Sequence, residues 1–317
     1  MDKLAVLIPA YNESQTITKV VRDVIEITKD ITGTVVYVYD NNSQDNTAEL
    51  AVEAGAVVRH EYAQGKGAVI RRMFREIDAE VYIMIDADDT YPVQAIPDMY
   101  HKVAERKVDM VVGDRLSSTY FEENTRPFHN IGNTLVRGLI NTLFKTNIKD
   151  ILTGYRAFSY QFVKTFPVLS RGFEIETEMS IHATEFKMLV ENQVIEYRDR
   201  PEGSESKLDT YGDGVRVITT VINLFRIYHP FAFFGSFAGI LSIVSILLFI
   251  FRVFFPFYHT GRVDNMPTLV VSLILFSVAV TAFFAGAILN AIQSSNKRNF
   301  ELNLINADEK NKNHANN

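Results

Sequence analysis

Asp86 and Asp88 are separated by one alanine, Ala87, and close an apolar run, Val81-Tyr-Ile-Met-Ile85, that reads as a buried strand. Two carboxylates this close repel each other, and burial raises the cost of keeping both ionised. The pair is a poor fold element but a good ligand set for a hard divalent cation. Mg²⁺ or Mn²⁺ takes one or two carboxylates and fills its shell with phosphate oxygens and water. The carboxyl end of a strand is also where open α/β sheets bind ligands. An acidic turn would be spelled with the same letters, so the choice rests on the accompanying residues.

Several polar stretches accompany the pair. Pro9-Ala10-Tyr11-Asn12-Glu13 leaves a strand with backbone amides and the Asn12 and Glu13 side chains available to a nucleoside, although a strand-to-helix turn with Glu near the helix start looks alike. Asp40 follows a second strand and offers a carboxylate to a base N–H or a ribose hydroxyl. Asp45-Asn46-Thr47 suits a helix cap. Gly65-Lys66-Gly67 lets backbone approach closely and sets an ammonium beside a diphosphate or base at a helix N-terminus. It is not a Walker loop, because Gly-x4-Gly-Lys-Ser/Thr is absent. Arg115 and Arg126 follow a fifth strand; guanidinium forks match phosphate oxygens, and the same residues also suit a plain surface.

These residues need elements to hold them. Strands are expected at Lys3–Pro9, Thr34–Tyr39, Val57–His60, Val81–Ile85 and Met110–Val112. Helical spacing fills the intervals, as in Ile17, Val20, Val21, Val24 and Ile25. Such alternation predicts an α/β fold, a mostly parallel sheet with helices on both faces. Successive strand ends carry polar tails, so one rim of the sheet is the expected site. Beyond it, Phe128–Phe144 reads as an amphipathic helix, Asp150–Arg156 as a polar turn, Glu174, Glu176 and Glu178 as the opening of a helix, and Arg200–Lys207 as a loop.

The 317 residues carry a net charge of −6, from 32 basic and 38 acidic side chains, which gives no nucleic-acid footprint. Cysteine is absent, so neither disulfides nor thiolate metal sites arise, and no cleavable signal peptide is expected. The composition changes after about Gly214. Residues 231–255 and 268–292 are two apolar runs, uncharged apart from Arg252, each long enough for the ~30 Å hydrocarbon core. Joined through Pro256–Pro267 they read as a membrane hairpin. Residues 213–230, with Val217, Val221, Leu224 and Tyr228 among Arg216 and Arg226, suit a helix lying in the membrane interface. The Asn- and Lys-rich residues 293–317 are expected to be a disordered tail. Gly235–Gly239 and Ala282–Gly286 have the small-x-x-x-small spacing of close helix packing, within the hairpin or between copies in a homo-oligomer.

Taken in order, Pro9–Glu13, Asp40–Thr47, Gly65–Gly67 and Asp86–Asp88 resemble the inverting GT-A glycosyltransferases of family 2, over about residues 3–115. The Asp150–Arg156 turn, the Arg200–Lys207 loop and the two apolar runs resemble the polyprenyl-phosphate group within it, which includes dolichol-phosphate mannose synthases and bactoprenol glucosyltransferases. One departure is visible: that family usually has Asp-Asp-Gly-Ser where this chain has Asp40-Asn41-Asn42-Ser43.

The resemblance implies a cytosolic GT-A domain over residues 1–212 and transfer of one sugar from a nucleotide sugar to a polyprenyl phosphate, with inversion. The expected donor is UDP-glucose or UDP-N-acetylglucosamine, or GDP-mannose as the alternative. It further implies a metal on Asp86 and Asp88, a donor held by Pro9–Glu13, Asp40, Lys66, Ala87 and Arg200, and a lipid phosphate held by Arg115, Arg126 and Lys207. Asp150 would orient a substrate or act as base, with Glu174, Glu176 and Glu178 as rivals. Both chain ends are expected in the cytosol, with the hairpin in the cell membrane. A processive synthase would carry Gln-x-x-Arg-Trp, and this chain has no tryptophan. A membrane-anchored nucleotide-binding regulator is the reading without catalysis.

Overall fold

The computed structural model describes residues 1–117, 137–145, 148–196, 198 and 210–316. Its strands are β1 (Asp2–Ala10), β2 (Thr34–Asp40), β3 (Val57–His60), β4 (Ala79–Met84), β5 (Met110–Asp114), β6 (Arg156–Ser159) and β7 (Val190–Val194). They form one sheet in the order β3-β2-β1-β4-β6-β5-β7. All neighbours run parallel except β6, which is antiparallel to both β4 and β5. The sheet is therefore mixed, and β6 and β7 add to the five strands legible in the sequence. β1 is central: Leu4 to Ile8 are wholly buried, an unbroken apolar run as expected where both faces are covered. Register sets the rim. Ala10 pairs with Asp40, and Asp40 with His60, so the ends of three strands are level.

The helices α1 (Ile17–Ile27), α2 (Thr47–Glu53), α3 (Lys66–Glu76) and α4 (Ile96–Ala104) fill the crossovers. α1 buries Ile17, Val20, Val21 and Val24, the stripe its spacing dictates. Ile25 is 39% exposed, one position outside that stripe. After β6 come α5 (Tyr160–Thr165) and α6 (Ile175–Glu185). Of the helix expected at Phe128–Phe144, the described part, 137–144, is helical.

The chain divides into two compact units, Met1–Val221 with Phe300–Asn317, and Ile222–Asn299. C-terminal to the sheet lie α7 (Thr210–Tyr228), α8 (Pro230–Phe249), a π-turn (Ile250–Phe254), α9 (Phe255–Thr260) and α10 (Met266–Asn316). The link expected at Pro256–Pro267 is thus shortened to 261–265, with Gly261 supplying the left-handed residue (φ 66°) that ends α9. In the second unit Ser245 donates to the Ser272 carbonyl at 2.7 Å. Gly286 sits where an added Cβ would come within 3.0 Å of the Phe234 Cβ. That close approach is the use of the second small-residue motif, whereas Cβ atoms at Gly235 and Gly239 would meet open space.

The tail expected to be disordered is instead helical to Asn316. Its composition concealed a periodic stripe. Phe300 and Ala307 are buried and Leu304 is half-buried between them, so the helix has a face to pack. Phe300 lies with its ring centroid 4.0 Å from that of Phe186 and 5.5 Å from that of His182.

His182, in α6, is enclosed by Phe162, Phe166, Phe186 and Phe300, and neither ring nitrogen has a partner among the described residues. Burial in this apolar cage pushes its pKa down to about 3. The unfolded chain protonates the same ring near 6.5, so acid favours unfolding, and stability present above pH 6.5 is lost on the way down to about 3. By pH 5 the loss is about 2 kcal/mol. Replacing His182 with leucine, similar in volume and without charge, should remove that part of the acid sensitivity. Thermal melts of the detergent-solubilised chain at pH 8 and pH 5 measure it; an equal drop for both proteins would remove His182 as the source.

Candidate active site

The rim is built by its own hydrogen bonds. Asn41 N–H donates to the Ala10 carbonyl at 2.9 Å, extending the β1–β2 ladder past the strands. Asn12 takes the left-handed conformation (φ 52°), which Asn tolerates better than most residues. The Asn12 amide donates to Ser43 Oγ, and the Glu13 amide to Thr47 Oγ1, both at 2.9 Å. Gln44 N–H returns a bond to Asn12 Oδ1 at 2.7 Å. These two amides, expected to serve a nucleoside, are spent on joining the first tail to the second. Asp45 accepts from the Thr47 and Ser14 amides, the local capping role its spacing suggests.

Asp40 is 4% exposed. Its Oδ2 accepts from Ser43 N–H at 3.2 Å and lies 3.3 Å from His60 Nδ1, while Oδ1 is buried with no partner among the described residues. Asn41 explains the departure in the next position. Its Nδ2 donates to the carbonyls of Glu61 and Ala63, and its Oδ1 accepts from Gly65 N–H, all at 2.8 Å. A carboxylate has no proton for the first two bonds, so only an amide can tie β2 to the Gly65 turn this way.

Lys66 is the centre of the site. Its Nζ lies 2.7 Å from Asp86 Oδ1 and 2.8 Å from Glu176 Oε1, and its side chain is 11% exposed. Burial works to lower its pKa, but Asp86 and Glu176 outweigh it and hold the ammonium charged, well above its usual range. Three glycines make the close packing possible. A Cβ on Gly67 would come within 2.2 Å of the Ser170 carbonyl and one on Gly65 within 2.3 Å of the Arg171 carbonyl. A Cβ on Gly154 would meet Asp86 Oδ2 at 2.5 Å and Lys66 Nζ at 2.7 Å. Gly67 N–H donates to the Arg171 carbonyl at 2.9 Å, locking the start of α3 to the segment before α6.

Asp88 is buried, and its Oδ1 accepts from Thr90 Oγ1 at 2.6 Å and Thr90 N–H at 3.2 Å. Among the described residues no cluster of three or more His, Asp or Glu side chains is placed to hold a metal. Two carboxylates just past a strand end still fit a hard cation that brings phosphate and water as its other ligands. Asp150 is held by Arg115 as a bidentate pair, Nε to Oδ2 at 2.7 Å and the terminal nitrogen to Oδ1 at 3.0 Å. The residue assigned as base and one assigned to the lipid phosphate therefore hold each other. Arg126, Arg200 and Lys207 lie outside the described residues.

The three glutamates separate by role. Glu174 accepts from the Arg171 and Gly172 amides and Glu178 from the Ser170 amide, so both hold their own loop. Glu176 alone faces Lys66. Arg156 was not foreseen as part of the site. It is wholly buried and donates to the carbonyls of Thr153 and Ile151 and to Ser180 Oγ. Burial pushes its pKa down to about 10, against the opposing pull of Glu176 and Asp150. Tyr91 receives Gly154 N–H on its hydroxyl at 3.2 Å and carries the Arg115 guanidinium over its ring, 5.8 Å from the centroid.

Comparison with known proteins places the sheet in a family. Residues 5–166 match the family described as Glycosyl transferase family 2. The Haloferax volcanii protein Glycosyltransferase AglJ is 32% identical over 236 residues, 74% of this chain and 76% of that one. A Haloferax volcanii Dolichyl-phosphate hexose transferase is 28% identical over 70% of this chain and 94% of its own length. In fold, the chain is similar to glucosyl-3-phosphoglycerate synthase from Mycobacterium tuberculosis, solved with Mn²⁺, UDP-glucose and phosphoglyceric acid, at a TM-score of 0.55 and 22% identity, covering 71% of this chain and 80% of the other. The mixed, mostly parallel sheet is thus that of a GT-A glycosyltransferase, and the chain belongs to glycosyl transferase family 2.

Proposed function

We propose that this glycosyltransferase moves a single hexose, with inversion, from UDP-glucose or UDP-N-acetylglucosamine to undecaprenyl or another polyprenyl phosphate at the cytosolic face of the cell membrane, for modification of envelope glycans. The observation that carries the proposal is the Lys66 ammonium fixed between Asp86 and Glu176 at the sheet's rim, in a chain that also has two helices, Pro230–Thr260 and Met266–Asn313, long and apolar enough to cross a membrane. A lipid acceptor is supported by those helices and by the similarity to a dolichyl-phosphate hexose transferase. A uracil base is supported by Asp40. Guanine presents two adjacent N–H groups that want both carboxylate oxygens, whereas Oδ2 is already taken by Ser43 and His60. The single N–H of uracil needs only Oδ1.

Asp86 and Asp88 would hold a divalent cation, Mg²⁺ or Mn²⁺, which would supply neutralisation of the departing diphosphate. Lys66 adds a fixed charge there, with Arg200 as its proposed companion. The acceptor phosphate is already an anion at pH 7 and attacks the anomeric carbon without a strong base. Asp150 then serves to fix the plane of Arg115, one of the cations with Arg126 and Lys207 proposed to receive that phosphate. Phe300 and Ala307 pack within the unit that holds the sheet, which favours a hairpin whose two ends share one side. The open faces of Gly235 and Gly239 favour a second copy as their partner.

Radiolabelled UDP-glucose, UDP-N-acetylglucosamine and GDP-mannose, each incubated with undecaprenyl phosphate and the purified chain, test the reaction directly. Label should enter the lipid phase from a UDP-sugar, and label from none of the three would overturn the reading. Asp88→Asn should lower transfer about a hundredfold, roughly 3 kcal/mol, without unfolding the chain; near-normal transfer by this variant in excess chelator would exclude the metal role. Gly154→Ala should cost at least tenfold in transfer while changing melting little, because its methyl group intrudes on Asp86 and Lys66 and not on the core. A cytosol-active reporter fused after Asn317 should be active; a reporter active only outside would refute the hairpin.

A further inference from the structure

Glu176 does more than the reaction above requires of it. The residue is 3% exposed, and only one of its oxygens is accounted for: Oε1 contacts Lys66, while Oε2 is buried with no hydrogen-bond partner among the described residues. A counter-charge to Lys66 needs one oxygen. A dry, bare carboxylate oxygen beside it is a cost in the empty enzyme, and groups of this kind are satisfied in native proteins unless something else supplies the donor. The backbone that carries this side chain is held firmly. The Glu176 backbone carbonyl accepts from Ser180 Oγ, which accepts in turn from the Arg156 guanidinium, both at 2.9 Å. The buried Arg156 thereby fixes the first turn of α6 to β6, and Gly67 fixes the preceding segment to α3.

The position narrows the class of donor. Lys66 bridges Glu176 and Asp86, so Oε2 lies within a few ångströms of the place where a diphosphate and its metal would be bound. The group attached to that diphosphate is the sugar, whose hydroxyls are neutral, directional O–H donors. A phosphate has no proton to give there at pH 7, and a second anion would be repelled. We infer that Glu176 Oε2 accepts a hydrogen bond from a hydroxyl of the transferred sugar, so that Glu176 reads the sugar with one oxygen and fixes Lys66 with the other. The inference rests on the nucleotide-sugar reading of the rim. It makes Glu176 a specificity residue, distinct from Glu174 and Glu178, whose carboxylates are taken by backbone amides.

The test separates the sugar from the nucleotide. Calorimetry on the full chain in detergent compares UDP with UDP-glucose for wild type and Glu176→Gln, and the UDP-sugar with each of its monodeoxy analogues for wild type. Glu176→Gln should lose at least tenfold in affinity for UDP-glucose and less than threefold for UDP, and one monodeoxy analogue should bind wild type about as weakly as the variant binds the parent sugar. That analogue should also bind wild type and variant alike, which a residue that only supports Lys66 would not produce. Equal losses for UDP and UDP-glucose would reduce Glu176 to a support for Lys66 and overturn the inference. Should Glu176→Gln not fold, wild type decides alone: monodeoxy analogues that all bind as tightly as the parent leave no hydroxyl for Oε2. A chain that binds GDP-mannose in place of UDP-sugars changes the base assignment alone, and the same comparison of GDP with GDP-mannose then reads Glu176.

Discussion

One buried ammonium organises this site. Lys66 is held charged at 11% exposure by the two carboxylates that approach it within 3 Å, and it is the counter-charge that both of them share. Each element that brings the three together is constrained in consequence. α3 must begin at Lys66, β4 must end at Asp86, and α6 must open with Glu176 in its first turn. Gly65, Gly67 and Gly154 are glycines because the backbones that carry these charges leave no room for a Cβ. Removing Lys66 would leave both carboxylates without their shared counter-charge, which costs more than the pairs gain on forming.

The fold was legible where one physical signal was sufficient. β1 and β4 are apolar runs bounded by polar turns, and α1 has its stripe at helical spacing, so periodicity alone found them. β6 was not legible. It is four residues long, opens with an arginine, and follows a turn, and it is a strand only because β4 and β5 leave a gap between them for it. β7 is a polar edge strand with no alternation strong enough to read. The tail failed differently. Asparagine and lysine dominate its composition, but Phe300, Leu304 and Ala307 recur at helical spacing, and one aromatic ring is enough to dock it against Phe186.

The candidate site was legible by residue type and not by partnership. Asp86, Asp88, Asp40 and Lys66 could be chosen because strand ends and glycines mark places where backbone approaches a ligand. That Asp150 belongs to Arg115, or that the Asn12 and Glu13 amides belong to Ser43 and Thr47, is information about distances that no spacing encodes. Glu174 and Glu178 are four residues apart and so share one face at the helix start, while Glu176 between them lies on the other side. Only the packing of that start against α3 decides which one faces Lys66. Arg156 was missed because a buried arginine within a strand is spelled like any surface arginine.

The acceptors left bare show where folding and function part. Among the described residues three buried carboxylate oxygens have no hydrogen-bond partner: Asp40 Oδ1, Asp114 Oδ2 and Glu176 Oε2. They sit at the end of β2, at the end of β5 and at the start of α6, the elements that bound one rim of the sheet. Each costs about 1–3 kcal/mol or more while it stays bare. A sequence shaped for stability alone would have paired them, as it paired Glu174 and Glu178 with nearby amides. Asp114 has at least Lys149 at 4.0 Å to moderate its charge, while Asp40 and Glu176 each commit one oxygen to the protein and keep the other dry. A ligand whose base and sugar carry N–H and O–H groups at its two ends, joined by phosphates that suit Lys66, supplies donors of the kinds the folded chain lacks. The binding energy of such a ligand then includes the stability that the empty fold gave up.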